Sequence, residues 1–287
     1  MAFNLQTFKT RALTAIVFVV VMLAGLLWNR WSFFILFSIV HFGAWAEYQK
    51  LVSKFNPQYN KIGQSHRYGI IVAGWCLVLF FTNYNLKIGA LALTDVGFWT
   101  GVAFMILLPL IMFIDSRILF LGNIVYSIAG IIYISLPLAL LMDLRNHWSE
   151  GISSLSYTIP LLIIFSLWIN DTMAYIVGSF IGKTPLSKVS PKKTWEGTVG
   201  GVILTIAVIC LIAFFTKRIS IVDAATMSGI AAITGTVGDL FESKLKRMAG
   251  VKDSGSIMPG HGGFLDRFDS LLFAAVFVWL YACLVFY

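Results

Sequence analysis

Residues 197–215 read GTVGGVILTIAVICLIAFF, an unbroken run without one charged side chain. At a helical rise of ~1.5 Å per residue, such a run nearly matches the ~30 Å hydrocarbon thickness of a bilayer. In water it would need a core large enough to enclose it. In lipid it needs only to be an α-helix, because a helix satisfies its own backbone polar groups. The rest of the chain decides between the two.

Similar runs recur in both directions. Apolar segments lie at 12–28, 31–46, 68–82, 97–114, 118–142, 157–181, 197–215, 224–241 and 264–286. Residues 86–94 are apolar too, and either extend the third segment or lie in the interface. The 287 residues are 59% hydrophobic and only 12% charged, where a soluble domain carries about 25% charged residues. The expected fold class is an all-α polytopic integral membrane protein with about nine transmembrane helices. The first run follows Lys9 and Arg11 in the manner of a signal peptide, but another begins at Trp31, which favours a retained helix. Cys76, Cys210 and Cys283 all lie in apolar runs with no metal-ligand spacing, and read as small hydrophobes.

Charge distribution gives an orientation. With a cytoplasmic N-terminus, the inner segments hold every Lys and Arg except Arg30, Lys87, Arg145, Lys217 and Arg218. That is the bias expected of inner loops, although the last two of them have a second use for cations if they bind a ligand. The acids Asp239, Glu242, Asp253, Asp266 and Asp269 crowd one stretch near the end. Residues 1–160 therefore read as a transmembrane scaffold and 161–287 as the catalytic region, with its site on the cytoplasmic side.

Asp239 and Glu242 are three residues apart at the end of one apolar segment, and Asp266 and Asp269 repeat the spacing at the start of the next. On helices each pair shares a face. Converging carboxylates suit a divalent cation such as Mg²⁺, which takes one or two of them plus phosphates and water. The competing reading is ordinary surface ion pairs with Lys244, Lys246, Arg247, Lys252 and Arg267. The loop PGHGG, residues 259–263, precedes the last segment. Its backbone N–H groups can face an anion at a helix start, or it is a plain turn.

The loop GKTPLSKVSPKKTWEG, residues 182–197, carries Lys183, Lys188, Lys192 and Lys193. Polybasic inner loops attract anionic headgroups without catalysis, but SPKKTWEG also puts lysines and hydroxyls at a helix start. Asp171 lies inside an apolar segment, roughly 15 Å from its end at helical rise. A carboxylate there is costly unless it faces a wet cavity or a partner, so it reads as functional. Glu47 and Asp115 each end a segment, where charge is cheap, and neither is assigned a function. These features suit metal-assisted chemistry on a phosphate at the lipid interface, and would also suit a transporter with a coupling carboxylate.

The stretch from Ser243 to Asp269 resembles the signature of the phosphatidate cytidylyltransferases, or CDP-diacylglycerol synthases. Ser243, Leu245, Lys246 and Arg247 are followed by Lys252, Asp253, Gly255, Pro259, His261–Gly263 and the DRFD of residues 266–269. Met258 departs from the usual Leu, Ile or Phe by a similar-sized apolar swap. SPKKTWEG and the DTMAY at 171–175 also look like family elements. The resemblance is specific over 165–270 and architectural over 1–160.

It implies a Mg²⁺-dependent reaction of CTP with phosphatidic acid in the bilayer, giving CDP-diacylglycerol and pyrophosphate. It further implies a homodimer in the inner membrane, with no nucleic-acid partner. On this reading Asp239 and Asp266 hold metal, with Glu242 and Asp269 as further ligands, and a second metal or a monovalent cation has room. Lys192, Lys193, Lys246, Arg247, Lys252 and Arg267 neutralise phosphates. Gly262 and Gly263 admit a phosphate to the backbone, His261 orients one, and Asp171 lines the cavity. Asp253 joins the catalytic set, and Ser190, Thr194 and Ser243 join the substrate-binding set. A CTP-dependent polyprenol kinase and a secondary transporter coupled through Asp171 are the alternatives, the first separated by its CDP product and the second by flux without nucleotide turnover.

Overall fold

The computed structural model describes residues 5–114, 121–146, 155–256 and 262–286. The order is α1 (Leu5–Leu27), α2 (Arg30–Phe55), a 3₁₀ turn (Pro57–Lys61), α3 (Gln64–Phe80), β1 (Lys87–Ile88), β2 (Leu91–Ala92) and α4 (Leu93–Ile114). Then come α5 (Leu121–Gly130), a π turn (Ile131–Ser135), α6 (Leu136–Asn146), α7 (Leu155–Ile181), α8 (Trp195–Thr216), α9 (Ile221–Met248) and α10 (Leu265–Phe286). Every apolar segment of the sequence coincides with a helix among the described residues. Six stretches of the described residues are long and apolar enough to cross a membrane: Leu93–Ile111, Asn123–Asn146, Ser156–Ile181, Trp195–Thr216, Ile221–Met248 and Leu265–Phe286. Large apolar side chains such as Met105, Phe215 and Leu284 stand exposed on their outer faces, as lipid-facing helices require. The chain is an all-α, multi-pass membrane protein.

Residues 86–94 do not extend α3, which ends at Phe80. Lys87 pairs with Ala92 and Ile88 with Leu91 in a minimal antiparallel hairpin, turned at Gly89 with φ +62°. The positive φ is open to glycine without a Cβ penalty.

The chain divides into two compact units. The first comprises Met1–Ala139 and Met248–Phe268; the second comprises Leu140–Arg247 and Asp269–Tyr287. In the first, α2 begins at a capping box, in which Asn29 accepts from Ser32 N at 2.8 Å and Ser32 accepts from Asn29 N at 3.0 Å. Trp45 of α2 is fully buried and packs where a Cβ on Gly130 would stand, so α5 approaches closely. The π turn brings the Ser135 hydroxyl to Trp45 Nε1 at 2.9 Å and to His41 Nε2 at 3.0 Å.

In the second unit, α7 and α8 run antiparallel with glycines at the contact. A Cβ on Gly197 would lie 2.7 Å from the Ala174 carbonyl, and one on Gly201 would lie 2.9 Å from the Ala174 Cβ. Small residues let such membrane helices approach closely. Likewise a Cβ on Gly238 of α9 would stand 2.5 Å from the Asp269 carbonyl of α10.

Candidate active site

The second unit holds a cavity of about 550 Å³ whose lining includes Asn170, Asp171, Lys192, Lys193, Thr194 and Asp239. Three pieces of local structure place these side chains. Asp171 and Asn170 come from the middle of α7. Asn170 is buried, and its amide reaches Thr236 Oγ1 of α9 at 3.4 Å. Asp171 is exposed, and it shares the cavity lining with Lys192, Lys193 and Asp239, polar company that offsets its depth in an apolar helix.

The lysines come from the loop after α7, which folds back on itself. Leu186 N donates to the Lys193 carbonyl at 2.8 Å, Lys193 N to the Ser190 carbonyl at 3.1 Å, and Trp195 N to the Thr184 carbonyl at 2.9 Å. Glu196 accepts from Lys183 N and Thr184 N at 3.2 and 3.1 Å, tying the far side of the loop to the first turn of α8. Thr194 is the N-cap of α8 and accepts from Gly197 N at 3.1 Å. The loop therefore presents Lys192 and Lys193 from a fixed frame.

Asp239 of α9 completes the cavity. It forms an ion pair with Lys193, and Ser243, one turn on, donates to its Oδ1 at 3.3 Å. Asp269 of α10 is buried against α9 and accepts from Ser270 N at 2.6 Å. The close approach of α9 and α10 at Gly238 is what allows this. Glu242 is fully buried and is paired to Lys246 along the same helix face. Arg247 is exposed near the end of α9.

The remaining sequence-predicted residues lie in the first unit. Asp266 Oδ2 accepts from Ser254 N at 2.8 Å, Ser254 Oγ at 2.9 Å and Gly263 N at 2.8 Å. The Gly263 amide is thus directed at a carboxylate. Gly262 adopts φ +84°, with Asp266 where its Cβ would stand. Lys252, Asp253 and Arg267 are exposed. His261 and Asp115 lie outside the described residues.

Glu47 is the residue that sequence reasoning passed over. The second apolar segment stops at residue 46, but α2 runs on to Phe55 and buries Tyr48, Leu51 and Val52 beyond it. Glu47 is itself buried and accepts from Phe264 N at 2.9 Å, Leu265 N at 2.9 Å and Ser254 Oγ at 2.7 Å. Apolar residues continuing at helical spacing past Glu47 were the available signal.

Among the described residues no group of three or more His, Cys, Asp and Glu side chains forms a ready-made metal cage. The donor set still fits a hard divalent cation, which takes one or two carboxylates and completes its shell with phosphate oxygens and water. Asp171 and Asp239 line one cavity with two lysines, an arrangement able to take a phosphate and a cation together.

The chain is 43% identical over 136 residues to "Phosphatidate cytidylyltransferase 4, chloroplastic" of Arabidopsis thaliana, covering 47% of this chain and 33% of that protein. It is 42% identical over 124 residues to the phosphatidate cytidylyltransferase of Aquifex aeolicus, covering 43% and 46% respectively. With that of Rickettsia bellii it shares 36% identity over 169 residues, covering 54% and 68%. The match therefore spans less than half the length of the first two relatives and about two thirds of the third. A model described as "Cytidylyltransferase family" matches residues 9–285, nearly the whole chain. The chain belongs to the cytidylyltransferase family.

Proposed function

We propose that this protein is a phosphatidate cytidylyltransferase, converting CTP and phosphatidic acid into CDP-diacylglycerol and pyrophosphate. The observation that carries the reading is the Lys193–Asp239 pair in a cavity that also holds Asp171 and Lys192, within helices of membrane-spanning character. The printed names of the relatives supply the substrate class.

The chemistry follows from charge. A phosphate monoester has a second pKa near ~6, so the lipid phosphate is already largely ionised at neutral pH. It needs little help from a base. A phosphate oxygen attacks the α-phosphorus of CTP, a new P–O bond forms, and the bond to the pyrophosphate oxygen breaks. Catalysis then rests on alignment and on neutralising charge.

Lys193 can exchange Asp239 for a phosphate oxygen, and Lys192 adds a second cation at the same mouth. Asp239 and Asp171 would then hold Mg²⁺, with Asp269 as the buried neighbour. Mg²⁺, when bound, offsets the negative charge of the triphosphate. Thr194 keeps the loop registered on α8 while the lysines change partners. Lys246, Arg247, Lys252 and Arg267 are assigned to phosphate neutralisation, and Glu242 and Asp266 to the acidic set, on the family resemblance.

The same proposal includes nine spans, a cytoplasmic N-terminus, the inner membrane and a homodimer. The basic bias of alternate loops supports the orientation. The reading is tested by pyrophosphate release from purified protein given CTP, phosphatidic acid and Mg²⁺, with chelator and ATP controls.

A further inference from the structure

We infer that Glu47 is a positioning residue for the reaction: from α2, it anchors the loop at Ser254 and the first turn of α10. The kinetic part of this inference rests on the cytidylyltransferase reading; the structural part does not.

A helix begins with N–H groups that have no partner inside it. At the start of α10 such a group, and the two N–H groups just ahead of it, are met by carboxylates. Gly263 N donates to Asp266, while Phe264 N and Leu265 N each donate to Glu47 at 2.9 Å. The partners of Glu47 stand 207 to 218 residues away in the chain, so this is no local cap. A buried carboxylate is costly unless its lone pairs are filled. Three donors and the positive end of the helix dipole fill that role here.

Space has been cleared for it as well. A Cβ on Gly255 or on Gly263 would come within 2.2 Å of the Glu47 carboxylate. Ser254 Oγ lies between Glu47 Oε2 at 2.7 Å and Asp266 Oδ2 at 2.9 Å. A hydroxyl carries a single proton, so the two acids hold Ser254 from both sides by sharing one donor.

Exposed Lys252 and Asp253 directly precede Ser254, and exposed Arg267 directly follows Asp266. The anchor therefore sets where three of the family-signature side chains stand. Glu47 touches none of the reacting atoms. Its effect passes through the loop.

The test combines amide hydrogen exchange with kinetics on the full-length protein in detergent. In Glu47→Ala, exchange at Phe264 and Leu265 should quicken roughly tenfold or more while α8 stays unchanged. The kcat should fall by about 100-fold with little change in KM, as misplaced rather than missing binding groups produce. Glu47→Gln keeps the volume and one acceptor, should fall between wild type and Ala, and serves if the Ala variant does not fold.

Gly255→Ala should mimic the loss by displacing the carboxylate. Combined with Glu47→Ala it should cost nothing further, because coupled positions are non-additive. Unchanged exchange at Phe264 and Leu265 in a folded variant would overturn the anchor, as would equal acceleration in α8 or additivity of the two substitutions. If the wild-type protein turns over no CTP, the functional reading fails, and the exchange result still decides the anchor.

Discussion

At the scale of single residues, the central feature is an ion pair that has to open. Lys193 and Asp239 are partners in the structure, and the proposed reaction requires each to take a new one. Removing one member of such a pair leaves the other's charge poorly matched. Asp239→Asn should therefore lower turnover at least about 100-fold while the protein stays folded. Near-normal activity would remove Asp239 from the metal site. Lys193→Met should instead raise the KM for CTP, by about tenfold, because a phosphate contact is lost in both ground and transition states. Both are read by steady-state pyrophosphate release, with detergent-phase unfolding as the fold control. The pairing is not visible in the sequence. Lys193 and Asp239 are 46 residues apart, and spacing identifies partners only within one element.

At the scale of elements, helix contacts decide which side chains can meet. Gly238 brings α9 against the backbone of α10 at Asp269. Because the neighbour is a carbonyl rather than a flexible side-chain tip, Gly238→Ala must push the helices apart. Overpacking of this kind costs about 1–3 kcal/mol, and thermal unfolding of the purified variant should show it together with reduced activity. An unchanged midpoint would contradict the close approach. The helices themselves were legible from apolar runs, since lipid permits little else for an unpaired backbone. The hairpin at 87–92 was not, because two-residue strands carry no periodicity. Glu47 was missed for a related reason. A charge near the end of an apolar run looks interfacial, and the apolar spacing of Tyr48, Leu51 and Val52 beyond it is a weaker signal than the charge.

At the scale of the whole molecule, sequence order and compact units do not coincide. The stretch from Met248 to Phe268 groups with the N-terminal helices, although the sequence alone placed it with the catalytic region. Glu47 ties it there together with the rings of Phe18 and Phe37 against Phe268, contacts too distant in the chain to read from pattern. Within the second unit, the loops at 182–194 and 217–220 close opposite ends of α8. Membrane passage would put them on opposite sides. Lys188→Cys and Arg218→Cys should therefore be labelled by an impermeant thiol reagent from opposite faces of sealed vesicles, in a background lacking the native cysteines. Labelling of both from one face would contradict the spanning arrangement.

The most direct test of the central claim is pyrophosphate release by the detergent-purified protein, given CTP, phosphatidic acid and Mg²⁺. The account predicts release that requires all three, stops with chelator and is not supported by ATP. Release independent of phosphatidic acid, CDP in place of pyrophosphate, or no nucleotide turnover under any condition would contradict it.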